Sequence, residues 1–220
     1  MTPVLELKNI EKKFGDVIAL EGINLCVHKG EWISIMGPSG SGKTTLLNIL
    51  SLMDTPSNGE YLLGGMDAGS LDEAQKLVIR REKVGLIFQQ FHLIPYLSAL
   101  ENVMIAQYYH SSVDEEDAKA ALSKVGLAHR LTHRPSELSG GEQQRLCIAR
   151  SLINDPEILL ADEPTGNLDE QNEKVILDLF CRLREEGKTI ILITHNPELG
   201  RYADRIINLR HGKMEEVAHA

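Results

Sequence analysis

The sequence predicts an α/β fold: a mostly parallel sheet as the core, an N-terminal antiparallel β lobe before it, and an inserted α-helical lobe. Three observations carry that expectation. Short runs that are apolar at every position alternate with helix-like stretches, and continuous runs mean strands buried on both faces, as in a parallel sheet covered by helices. The first thirty residues instead alternate apolar with polar, the mark of half-exposed antiparallel strands. From Leu97 to Ile153 there are several helical patterns and no good strand.

In chain order, Val4-Leu5-Glu6-Leu7 and Ile23-Asn24-Leu25-Cys26-Val27 are the alternating strands of the β lobe. Trp32 to Met36 is the first core strand, followed by a helix from Lys43 to Leu52, and Val84 to Phe88 is the second strand. Asp114 to Val125 reads as a helix whose acidic first turn suits its positive end. A helix from Glu142 to Ile153, a strand from Ile158 to Ala161, a helix from Gln171 to Glu186 and a strand from Thr189 to Ile193 complete the alternation. The expected organisation is one domain over 1–220, with the core and β lobe at about 1–90 and 156–220 and the helical lobe at about 91–155. That length buries one sizeable core and leaves no room for two full-size domains.

Composition narrows the function. With 23 Lys and Arg against 32 Asp and Glu, the formal charge is −9, which repels a phosphate backbone, so general nucleic-acid binding is not expected. No apolar stretch reaches the roughly twenty residues a bilayer span demands, and Met1-Thr2-Pro3-Val4 lacks the layout of a signal peptide. The expected place is inside the cell. Cys26, Cys147 and Cys181 are odd in number and far apart, which suggests neither a disulfide framework nor a zinc site. They read as ordinary buried thiols. His28, His92 and His133 show no ligand spacing and read as surface residues.

Gly37-Pro38-Ser39-Gly40-Ser41-Gly42-Lys43-Thr44 matches G-x-x-x-x-G-K-[ST], between a buried strand and a helix that opens through Lys43, Thr44 and Thr45. Glycines let successive N–H groups curl around a phosphate, and the helix N-terminus adds partial positive charge. Lys43 can reach the outer phosphates, and the Thr44 hydroxyl can ligate Mg²⁺. The core is therefore of the P-loop (RecA-like) kind. By itself the loop leaves kinases, GTPases, helicases and transport ATPases open. Ile158-Leu159-Leu160-Ala161-Asp162-Glu163 is a buried strand ending in two carboxylates. An acid at the carboxyl end of a parallel strand lies at the edge of the phosphate loop, so Asp162 can hold Mg²⁺ through water. Glu163 then faces the terminal phosphate, where it can act as general base on an attacking water.

Leu138-Ser139-Gly140-Gly141-Glu142, followed by Gln143-Gln144-Arg145, resembles the LSGGQ signature of the ATP-binding-cassette (ABC) ATPases. The resemblance runs with the other cassette motifs, in order, from about Val4 to Met214. It implies that Ser139, Gly140 and Gly141 form a second phosphate cradle against nucleotide held by another subunit, so that a homodimer or a paired cassette forms on ATP binding. Glu142 stands where the family most often has Gln; its charge either slightly weakens ATP or caps the helix. Gln89 matches the Q-loop glutamine that ligates Mg²⁺, with Gln90 as the alternative if the register shifts by one. Asp169, in Asn167-Leu168-Asp169, matches the D-loop that touches the opposite subunit. His195 matches the histidine that contacts the γ-phosphate; on its own it would read as a structural histidine at a strand end. Phe14 matches the aromatic residue stacked on adenine, where the family often has Tyr, and its plain alternative is a half-buried strand residue.

The same resemblance implies a cytoplasmic-side subunit, peripheral to the membrane, that uses ATP and Mg²⁺ to drive integral membrane permease subunits and never touches cargo. Ile35 to Lys43, Phe88-Gln89-Gln90-Phe91 with Ile94-Pro95, Leu100 to Val103 and Ala161 to Asp169 look like the lipoprotein-release and macrolide-export class. Phe91 to Leu97 is apolar enough for permease docking, and packing within the helical lobe accounts for it equally well. A soluble scaffold resembling the iron–sulfur assembly cassette, or a cell-division-type signalling cassette, would share the same motifs.

Overall fold

The computed structural model describes residues 3–110 and 112–217, the side chains of Glu216 and Val217 excepted. Met1 and Thr2, half of the stretch read against a signal peptide, lie outside the described residues. The chain opens with a hairpin of β1 (Leu5–Phe14) and β2 (Val17–Val27), registered from Leu5 opposite Val27 to Phe14 opposite Val17. Leu5, Leu7, Ile10, Leu20, Ile23, Leu25 and Val27 are buried, as the alternation requires. Next come β3 (Trp32–Met36), α1 (Lys43–Leu50), β4 (Asn58–Leu63), β5 (Met66–Asp67) and α2 (Glu73–Lys83). β6 (Val84–Ile87) leads into α3 (Ala99–Tyr108), α4 (Glu115–Lys124) and α5 (Gly140–Leu152). β7 (Ile158–Asp162), α6 (Glu170–Glu185), β8 (Thr189–Ile193), α7 (Pro197–Gly200), β9 (Arg205–Arg210) and β10 (Lys213–Val217) complete the order.

The strands form two sheets. One is antiparallel in the order β2-β1-β4-β5; the other runs β10-β9-β3-β8-β7-β6, parallel from β9 to β6 with β10 antiparallel at its edge. Continuous hydrophobicity in the core strands follows from their position between two layers. Ile33, Ile35, Ile158, Leu160, Ile191 and Ile193 face the antiparallel sheet and α1, whereas Trp32, Leu159, Ala161, Ile190 and Leu192 face the layer of α3 to α6. Each of these isoleucines and leucines contributes about 1.5–3 kcal/mol on burial.

The helices begin where polar caps permit. Asp72, Ser98 and Ser139 form capping boxes with Gln75, Glu101 and Glu142, and Asp114 and Asp169 cap α4 and α6. The antiparallel N-terminal sheet is present as expected, and β4 and β5 return to it after α1. Two sequence expectations need correction. Only Cys147 is a buried thiol; Cys26 and Cys181 are half-buried. His133 is not a surface residue: it is half-buried with its Nδ1 enclosed and its Nε2 3.1 Å from Arg130 Nη1.

Candidate active site

β3 delivers the phosphate loop to the carboxyl edge of the parallel sheet, and close packing dictates its glycines. A Cβ on Gly37 would lie 2.7 Å from Ser41 Oγ and against the Leu209 carbonyl of β9, and one on Gly42, at φ +104°, would lie 2.7 Å from the Ala19 carbonyl. Gly40 needs its glycine for a different reason, a φ of +77° in open space. Ser41 O accepts the Gly212 N–H at 3.1 Å, which ties the loop to the β9–β10 turn. Lys43 Nζ curls back and donates to the carbonyls of Gly37 (2.7 Å) and Pro38 (2.9 Å). Over the loop lies a groove of about 510 Å³ lined by Val17, Ile18, Ser39, Gly40, Gly42 to Thr45, and the His211-Gly212 turn.

Asp162 and Glu163 stand at the end of β7, where burial and then the Glu163 charge push the Asp162 carboxyl above its ordinary value, with Lys43 opposing. Glu163 has φ +45°, a left-handed backbone that costs a non-glycine residue of order 1–3 kcal/mol. Its N–H is held by the Ile193 carbonyl at 2.8 Å, and its carboxylate lies 2.7 Å from His195 Nδ1 and 3.3 Å from Thr194 Oγ1. The exposed His195 thus presents its other ring nitrogen outward from a carboxylate.

Gln89 packs beside the same strand end. Its Nε2 is 2.9 Å from where a Gly166 Cβ would stand, and its carbonyl accepts from Asn167 Nδ2 at 3.1 Å. Asp169 caps α6 by accepting from Asn172 N (2.8 Å), and the Asn172 amide lies where a Cβ on Gly141 would go. The nearest side chains around Gly140 are Leu168 and Phe91, and no phosphate-loop residue is among its close neighbours. Ser139, Gly140 and Gly141 are therefore gathered with Asp169, and the groove over Lys43 is lined by other residues.

Phe14 is not a half-buried strand residue: it is 52% exposed at the end of β1, with Lys12 Nζ 5.0 Å from its ring centroid. Glu142, the departure from the signature, caps α5: its Oε2 accepts from Ser139 N (2.8 Å) and Ser139 Oγ (2.9 Å), and its Oε1 accepts from Arg130 Nε (2.9 Å). Those bonds, the Ser139 backbone first, hold its carboxyl down to about 2. Sequence reasoning missed Val17, Ile18, His211 and Gly212 as walls of the groove. The His-Gly pair before Lys213 was the one available signal, a tight-turn dipeptide with both residues at positive φ.

A phosphate loop at the edge of a parallel sheet, with two carboxylates on a nearby strand end, defines a nucleoside-triphosphatase of the P-loop class. The ABC transporter family model matches residues 20–166. A macrolide export ATP-binding/permease protein of Bdellovibrio bacteriovorus is 47% identical over 217 residues, which is 96% of this chain and 33% of that protein. An uncharacterized ABC transporter ATP-binding protein of Methanocaldococcus jannaschii is 48% identical over 221 residues, covering 97% of this chain and 99% of that protein. Among solved structures, the dimeric ATP-binding cassette MJ0796 in a post-hydrolysis state with ADP and Pi matches at a TM-score of 0.88 and 40% identity, over 98% of this chain and 100% of that one. The chain belongs to the ABC transporter family and is an ATPase by that membership. It spans about a third of the macrolide-export relative and nearly the whole of the Methanocaldococcus one.

Proposed function

We propose that this chain is the ATP-hydrolysing subunit of a transporter of the lipoprotein-release and macrolide-export type, in which ATP closes two cassettes and a separate membrane permease uses that motion. The observation that carries the catalytic half is the pairing of Glu163 with His195 beside the phosphate loop. Lys43 leaves the Gly37 and Pro38 carbonyls for the outer phosphates, exchanging two neutral acceptors for anionic ones. Glu163 takes the proton of the attacking water, and the strained backbone at that residue aims its carboxylate. His195, donating through Nδ1 to Glu163, can meet the terminal phosphate through its other nitrogen. Phe14 offers an exposed ring for the base.

Thr44, Asp162 and Gln89 supply only oxygen ligands, which suits Mg²⁺. Among the described residues no group of three His, Cys, Asp or Glu is placed to hold a metal alone. One carboxylate, here the half-buried Asp162, completed by phosphate oxygens is a usual Mg²⁺ arrangement, so the residues fit the ion. Bound there, it would neutralise charge on the phosphates.

Dimer formation rests on the separation of Ser139-Gly140-Gly141 from the groove over Lys43, which leaves a second copy to bring the two together. The permease reading rests on the relative named as an ATP-binding/permease protein. Among the described residues no helix is long and apolar enough to cross a membrane. Resting on that relative, the proposed place is the cytoplasmic face of the membrane, peripheral to permease subunits that contact 91–97, with cargo handled by the permease. Purification of tagged Glu163→Gln protein with Mg-ATP from gently solubilised cells tests this. Recovery of a membrane protein with few spans and a large extracytoplasmic domain is expected. Recovery of soluble partners alone would replace the reading with a scaffold role.

A further inference from the structure

Ser139 has one hydroxyl proton, and in this structure the proton is committed. Ser139 Oγ accepts from the Glu142 N–H at 3.3 Å and donates to Glu142 Oε2 at 2.9 Å. The same carboxylate oxygen takes the Ser139 N–H at 2.8 Å, while its second oxygen is fixed by Arg130 Nε at 2.9 Å. Arg130 is in turn fastened through Nη1 to His133 Nε2 at 3.1 Å. The Glu142 side chain is only 13% exposed, so solvent competes little for it, whereas Ser139 itself is exposed. A phosphate oxygen carries no proton to share, so it can bond this hydroxyl only by taking the proton that Glu142 holds. A bond to an ionised acceptor is roughly twice as strong as one to a neutral acceptor. A glutamine at 142 would keep the capping box and release the hydroxyl more readily.

We propose that Glu142, steadied by Arg130, is a positioning residue that withholds the Ser139 hydroxyl from nucleotide in the free cassette and so raises the Mg-ATP concentration at which two copies close. This rests on the shared-site reading given under the proposed function. The residue that departs from the signature is then a threshold device and not only a helix cap.

The test is a double-mutant cycle in the Glu163→Gln background, reading dimer by sedimentation velocity against Mg-ATP concentration. With Ser139 present, Glu142→Gln should lower the half-maximal Mg-ATP by about fivefold, the gap between a charge-assisted and a neutral hydrogen bond. With Ser139→Ala, Glu142→Gln should produce no shift, because the hydroxyl through which it acts is gone. An equal shift in both backgrounds would mean that the charge acts directly on the triphosphate, and the proposal would fall. So it would if Glu142→Gln left the midpoint unmoved or raised it. Failure of Glu163→Gln itself to dimerise at any Mg-ATP concentration would instead overturn the shared-site reading, and this inference with it. Thermal midpoints of all four proteins show whether the fold survives each change.

Discussion

Gly37→Ala tests the packing of the phosphate loop. The added Cβ would stand 2.7 Å from Ser41 Oγ, 3.2 Å from the Leu209 carbonyl carbon and nearer still to the Leu209 oxygen. Ordinary contacts of this kind lie at about 3.5–4.0 Å, so relief demands a movement of roughly 1 Å. Ser41 is buried and can rotate, but the Leu209 carbonyl belongs to β9, which is paired to β3 from Ile33 through Met36. The loop must therefore lift away from the sheet. Overpacking of this sort costs about 1–3 kcal/mol, or a Tm lower by roughly 2–12 °C in a chain of this size. A loop displaced by about 1 Å misaligns its N–H donors to phosphate, and losing one charge-assisted hydrogen bond at about 1.5–3 kcal/mol should weaken nucleotide affinity by about tenfold or more. Thermal melting and titration with Mg-ATP or Mg-ADP read both effects. Gly140→Ala is the control, because its Cβ meets nothing closer than 3.8 Å, and its Tm should stay within about 2 °C of the parent. A Gly37→Ala protein with unchanged Tm and unchanged affinity would refute the steric account of the loop.

Three further outcomes follow from the site. Lys43→Ala should weaken Mg-ATP binding itself, by about 10²-fold or more for loss of a charged phosphate contact; unchanged affinity in a binding titration would undermine the assignment of the loop. His195→Ala should leave nucleotide binding in place and cut turnover by about 10²–10⁴-fold, because Glu163 loses the partner that orients it; turnover near the parent rate would remove His195 from the chemistry. Glu142 has its carboxyl held at about 2 against an ordinary 4.5. The unfolded chain therefore takes up that proton first, and the stability Glu142 contributes is complete above about 4.5 and lost as the pH falls toward about 2. The Tm advantage of the parent over Glu142→Gln should shrink across that window, and an advantage independent of pH there would contradict the capping geometry.

The elements legible in the sequence were those with one clear hydrophobic period or an uninterrupted apolar run. Trp32–Met36 and Thr189–Ile193 are strands with the expected bounds, because both faces of each strand are buried. β4 was invisible: Asn58, Gly59 and Glu60 are exposed and polar, and Tyr61 and Leu63 are too few to set a period. α2 buries only Lys76 and Ile79, so its helical state shows in its capping box and not in an apolar stripe. At the site, residue types and spacing marked the phosphate loop, the two carboxylates and the signature. Neither the left-handed backbone of Glu163 nor the approach of Asn172 to Gly141 has any local signal. The first arises only when β7 and β8 are paired in the sheet, and the second only when α5 and α6 pack against each other. Glu142 shows the same limit. Sequence left its charge poised between weakening ATP and capping α5, and the cap emerged from the contacts of Ser139 and Arg130.

The central claim is that Glu163 activates water in a site completed by a second copy of the chain. Replacing Glu163 with Gln keeps the shape of the side chain and removes the base. With saturating Mg-ATP, sedimentation should show a stable dimer that retains uncleaved ATP, while steady-state hydrolysis falls by about 10²-fold or more. A variant that stays monomeric at saturating Mg-ATP, or that hydrolyses ATP at the parent rate, would contradict the account.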